Sequence, residues 1–223
     1  SDHGTDPLPW YRIDQLRREL NRREAGEVDA GQFVAWVLDK LCGFEGRDGT
    51  WARGSSVSTE WSQTRIAGDV SRPRHVWTSH RHGALPVFFD PSPRLGIGRG
   101  RKAVSDCTQW LRKAGRPLAL VTNGRQWRLI YAGLDFEAGC EWDTDLWFEE
   151  GEPGPQLEAL RLLFQPALLS TIDEAGPIPL ASAVQDSRKG QSDLSSTLGE
   201  RVREAVEALV QSHGTALSTM DHQ

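Results

Sequence analysis

The chain has 223 residues, 38% apolar and 26% charged, with a formal net charge of −5. This is room for one full domain plus a smaller appendage. No apolar run approaches the roughly 20 residues a membrane-spanning helix needs. The three cysteines (Cys42, Cys107, Cys140) form no CxxC pair, which excludes a disulfide scaffold and a cysteine zinc site and points to a reducing cytoplasm.

Taken in chain order, Tyr11, Ile13, Leu16 and Leu20 predict a helix over residues 9–23, with Arg17, Arg18, Arg22 and Arg23 outward. A second helix is predicted over 31–42, stopped by Gly43. Residues 45–54 read as a glycine-rich loop, followed by extended segments at 57–66, 75–80 and 84–90. The last of these, ALPVFFD, is apolar enough for a strand buried on both faces. The turn-forming stretch PSPRLGIGRGR then leads into a helix over 102–114. Residues 117–122 form a second apolar strand, Asn123-Gly124 signals a hairpin, and 126–132 returns. Residues 140–148 read as extended and 156–164 as helical. Pro166, Gly176, Pro177, Pro179 and Gly190 make 166–191 a linker, before an amphipathic helix within 192–214. The order is α/β, with a mixed sheet built around 84–90 and 117–122. The nine tryptophans promise an aromatic core, and Trp127 is expected inside it.

Charge is distributed unevenly. Residues 72–128 carry 12 basic and 2 acidic side chains, whereas 129–223 carry 5 basic and 17 acidic. Such a split points to a polyanion or an acidic partner meeting the basic third, or to the acidic tail folding back on it. Arg94, Arg99, Arg101 and Lys102 surround Gly96-x-Gly98-x-Gly100, ahead of a helix. The spacing matches neither a dinucleotide fingerprint nor a P-loop. Glycine N–H groups and a helix N-terminus can still contact a phosphate backbone without sequence preference. Arg112, Lys113, Arg116, Arg125 and Arg128 are candidates for the same surface, although Arg125 or Arg128 is alternatively a partner for the acidic segment 141–152. His75, His80 and His82 have no carboxylate spaced to complete a metal site. Asp143, Asp145, Glu149, Glu150 and Glu152 read as a solvated loop or as a docking face for a basic partner.

LALVTNGRQWRLIYAG (118–133), with its preceding helix and strand, resembles the nuclease-like domain at the front of many restriction–modification proteins. The resemblance extends over residues 30–165, and 134–163 looks closest to methylases of phage-defence systems. It implies a restriction-endonuclease-like mixed sheet flanked by helices, with residues 1–29 as an N-terminal helix. It also implies that this chain is an N-terminal piece of a DNA adenine methylase, since no Asn/Asp-Pro-Pro-Tyr/Phe segment occurs in it.

The family chemistry uses Mg²⁺ held by an Asp after a Pro on one strand, with an Asp/Glu and a Lys two apart on the next. Here the first position is Pro73-Arg74, a base in place of the acid, and the second is Asp90-Pro91-Ser92, without the lysine. A permanently charged arginine repels a divalent cation. The degenerate motif implies a non-cleaving module with no cofactor, and the basic region supplies Arg94, Arg99, Arg101, Lys102, Arg112, Lys113 and Arg125 as its expected contacts to duplex DNA. Two alternatives stand beside it. One is an active Mg²⁺-dependent endonuclease using Asp90 and Asp69; the other is a protein-interaction module that docks a partner subunit.

Overall fold

The computed structural model describes residues 6–45, 49–65, 68–133, 136–148, 151–169, 180–188 and 200–203. Among the described residues, these helices and strands follow in chain order. They are α1 (Trp10–Glu24), α2 (Ala30–Lys40), β1 (Gly49–Arg53), β2 (Gln63–Thr64), β3 (Val70–Ser71), β4 (His75–Ser79), β5 (Gly83–Phe89), α3 (Gly100–Ala114), β6 (Leu118–Thr122), β7 (Gln126–Ala132), β8 (Glu137–Asp143) and α4 (Pro155–Leu163). Six strands make one sheet in the order β1-β4-β5-β6-β7-β8, and β2 and β3 form a small separate ladder. Only β5 and β6 run parallel, Val87 facing Leu120 and Phe89 facing Thr122. Parallel neighbours require a crossover, and α3 supplies it. A mixed sheet flanked by helices is the predicted architecture, and it is compatible with a restriction-endonuclease-like fold.

The physical basis of the sheet lies in its central strands. Every residue of β6 is buried, so both faces are covered. On one face Ala119 and Val121 join Val76, Ile130, Cys107, Trp110 and Leu111 in the layer under α3. Side chains alternate along a strand, which leaves Leu118 and Leu120 for the opposite face. The aromatic core also includes Phe33 and Trp147 with Trp127, the two tryptophan rings 5.8 Å apart and both indoles fully buried. Trp127 is thus core, as its apolar strand neighbours indicate.

Some predicted elements are corrected. Residues 49–53, read as loop, are the edge strand β1, paired antiparallel with β4 from Gly49–Ser79 to Arg53–His75. An edge strand pairs on one side and lacks the two-faced apolar signature, so the surrounding glycines dominate its reading. Of the predicted extended segment 57–66, Val57 and Ser58 follow a first 3-10 turn at Gly54–Ser56, Thr59–Trp61 forms a second, Gln63–Thr64 is the short β2, and residue 66 lies outside the described residues. Ser58 explains part of this, because its hydroxyl accepts the Glu60 N–H and caps the second turn. The extended reading of 140–148 holds only to Asp143, beyond which Thr144–Leu146 forms another 3-10 turn.

The chain divides into two compact units, Ser1–Ala181 and Ser182–Gln223. Residues 180–188, assigned to the linker, are helical: the stretch Leu-Ala-Ser-Ala-Val has good helix formers that the flanking prolines obscure. Residues 200–203 are helical too, while the rest of the amphipathic helix expected in 192–214 lies outside the described residues.

Candidate nucleic-acid interface

The Thr122-Asn123-Gly124 segment works as a clasp. Asn123 accepts the N–H groups of Arg125 (3.0 Å) and Gln126 (2.7 Å) on its side-chain oxygen. Thr122 donates its hydroxyl to the Gln126 carbonyl at 2.7 Å and accepts the Gly124 N–H at 2.9 Å. Gly124 lies at φ +86°, the position where II′ turns place glycine. The Asn123 amide also donates to the Ser92 carbonyl at 2.9 Å, and Gln126 accepts the Leu95 N–H at 2.8 Å. The hairpin therefore holds the whole segment that follows β5. Both parallel strands end here, the place where open α/β sheets bind their ligands.

Beside this clasp lies a cleft of about 240 Å³ whose lining includes Arg65, Arg72, Phe88, Asp90, Asp106 and Cys107. Its acids are already engaged. Asp90, half-buried, turns its carboxylate onto the Ser92 N–H at 2.9 Å, and its own N–H meets the Thr122 carbonyl at 3.1 Å. Asp69 and Asp106 are both held by the Arg65 guanidinium. Arg74 is exposed, 4.0 Å from Asp29, with its guanidinium over the Phe89 ring at 5.2 Å. A divalent cation wants several unpaired oxygens, and here Arg65 already supplies the cation between two of the three carboxylates. The donor set is a poor fit for Mg²⁺. Among the described residues no three His, Cys, Asp or Glu side chains cluster as metal ligands. Sequence reading missed the Arg65–Asp106 pairing, which spans 41 positions and leaves no local trace.

His75, the first of the three histidines considered as ligands, is buried, with Nδ1 2.7 Å from the Arg74 carbonyl. Burial pushes its pKa down, partly opposed by that hydrogen bond. His80 is exposed at the far end of the same strand.

The predicted basic residues separate into two sets. Arg94, Arg99, Arg101 and Lys102 are all exposed, and among the described residues no carboxylate lies within ion-pair distance of any of them. The loop that carries them closes through a Leu95–Gly100 bridge and a 3.1 Å bond from the Gly96 N–H to the Gly100 carbonyl. Its backbone differs from the phosphate cradle expected of the glycines. The N–H groups of Gly100, Arg101 and Lys102 are spent on the carbonyls of Ile97, Gly98 and Arg99. The charge this loop offers is carried by side chains.

The second set is paired. Arg112 meets Glu137 at 3.6 Å, Arg125 meets Asp143 at 3.3 Å and also Asp145, and Arg128 Nε donates to Glu141 at 3.0 Å. Lys113 donates to the Thr64 carbonyl at 2.7 Å. Arg116 lies 4.9 Å over the Trp61 ring. Eleven residues of helix put Arg112 and Lys113 about 16 Å along α3 from Arg101 and Lys102. Arg125 borders the same hollow of about 300 Å³ as Arg94 and Ile97, but Asp143 and Asp145 occupy its guanidinium.

No protein family matches the sequence, and no curated protein matches it. Among solved structures, a likeness exists to the cryoEM structure of the DrdV–DNA complex. The TM-score is 0.36 at 17% identity, over 70% of this chain and 14% of that one. The chain thus spans a small part of that protein's length.

Proposed function

We propose that this chain is a non-cleaving, restriction-nuclease-like module that holds duplex DNA by its backbone. It would present that DNA to a DNA adenine methyltransferase domain in the full-length protein of a restriction–modification or phage-defence system. The observation that carries the reading is the juxtaposition at the ends of β5 and β6. Four exposed cations without carboxylate partners among the described residues stand beside a cleft in which Arg65 pairs with Asp106 and with neighbouring Asp69, and Asp90 accepts the Ser92 N–H. Phosphate is the partner that such a cation set fits best, and contact through side-chain charge carries no base preference. Without a lysine after Asp90 and with Arg65 between Asp69 and Asp106, the cleft lacks the groups that would activate water.

The test is a titration of the chain with duplex DNA across a salt series, with and without Mg²⁺, alongside a supercoiled-plasmid nicking assay. Affinity should fall on a log–log plot with a slope of about 0.9 per phosphate contacted, unchanged by Mg²⁺, and the plasmid should stay intact. Nicking that EDTA abolishes and that Asp90→Ala removes would replace this reading with an endonuclease. Capture of a basic protein subunit with no salt-sensitive DNA affinity would replace it with a docking module.

A further inference from the structure

We propose that Ile97 is a wedge that enters the minor groove of duplex DNA and opens a base step, an inference that rests on the DNA-holding function above. Ile97 is 63% exposed, while Leu95, two positions earlier in the same loop, is 1% exposed and anchors it to the core under α3. Gly96 (φ +74°) and Gly98 (φ +56°) flank Ile97, so neither adjacent residue has a side chain to cover it. The turn is braced, since the Gly100 N–H donates to the Ile97 carbonyl at 3.1 Å and the Gly96 N–H to Gly100. Exposure of this side chain is therefore built into the turn, at a continuing hydrophobic cost that a partner can relieve.

The surroundings specify that partner. Arg94, Arg99, Arg101 and Lys102 lie within five positions of Ile97 and have no carboxylate partner among the described residues. An isolated branched apolar side chain on a turn that carries several cations suits the wedge by which proteins unstack a base step from the minor groove, and the two carboxylates bordering the same hollow, Glu141 and Asp143, are each paired with an arginine. Arginines also favour narrow minor grooves, where the negative potential is enhanced. A membrane surface calls instead for a broad apolar face. Here Ile97 is the one large exposed hydrophobe of the loop. The loop also leaves the carboxyl end of β5 next to Asp90, at the site where the proposed module holds its DNA.

The experiment uses duplexes of about 20 base pairs with 2-aminopurine replacing adenine at TA steps, the most easily unstacked, and a dye pair on the ends. The chain should raise 2-aminopurine fluorescence and shorten the end-to-end distance. Ile97→Ala and Ile97→Lys should keep the salt-sensitive affinity and lose both signals, with unchanged circular dichroism as expected for an exposed position. The wedge is overturned if both variants give the parent's signals, or if the parent binds without producing them. Absence of any duplex affinity in the parent would remove the DNA-holding function itself, a distinct result. Flotation of the parent with anionic vesicles, lost in Ile97→Lys while the DNA signals persist in that variant, would assign the side chain to a lipid surface and overturn the wedge.

Discussion

Two groups of arginines from the same basic third of the sequence end in opposite circumstances. Along β7, β8 and the end of α3, Arg112, Arg125 and Arg128 each face a carboxylate contributed by β8 or the turn after it. On the loop before α3 and in the first turn of that helix, Arg94, Arg99, Arg101 and Lys102 face solvent. The first group uses the acidic segment as an internal counter-ion, so its charge is largely cancelled before any ligand arrives. The second keeps its charge for a partner. A count of basic residues over 72–128 merges the two; strand pairing separates them.

The largest expected effect tests that separation directly. Replacing Arg94, Arg99, Arg101 and Lys102 together by alanine should abolish most duplex affinity. The salt slope should flatten by about 0.9 for each phosphate no longer neutralised, read by fluorescence anisotropy. The triple Arg112→Ala, Arg125→Ala, Arg128→Ala should leave that slope nearly unchanged. Equal losses from the two sets would erase the distinction.

Gly100→Ala should come next, because a Cβ there would lie 2.0 Å from the Arg94 carbonyl oxygen, a backbone atom that cannot swing away. Urea denaturation should show a loss of about 1–3 kcal/mol, as for other overpacked sites. DNA affinity should fall with it as Arg94 is displaced.

A smaller effect concerns the stability of the fold as the pH changes. His75 has its pKa lowered from the ordinary 6.5 by burial, so on acidification the unfolded chain binds the proton first. Stability from this group is therefore full above pH 6.5 and declines as the pH falls below it. The urea midpoint should drop on acidification, and His75→Gln should flatten that drop. The smallest change belongs to Arg128→Ala. It breaks a partly exposed pair with Glu141 and should cost less than about 1 kcal/mol, with DNA affinity intact.

Legibility in the sequence followed the locality of the signal. The strands at 83–89, 118–122 and 126–132 declare themselves by continuous apolar runs and the Asn-Gly turn, and α3 by its apolar stripe. β1 was hidden because its stability comes from pairing with β4, not from its own residues. In the candidate site, the replacement of the expected acid by Arg74 and the lone Asp90 were readable position by position. The use of Arg65 as a counter-ion for Asp69 and Asp106 was not, and Ile97 stood in the sequence only as an apolar residue between two glycines.

By itself, then, the sequence determined the mixed α/β order, the buried strands and the concentration of positive charge, since periodicity, turn chemistry and composition act over a few neighbouring residues. Tertiary structure alone decided which cations are free and which acids are occupied. Coulomb attraction and hydrogen bonding depend on separation in space, and the chain sets that separation only once β8 lies against β7 and Arg65 lies beside Asp106 of α3.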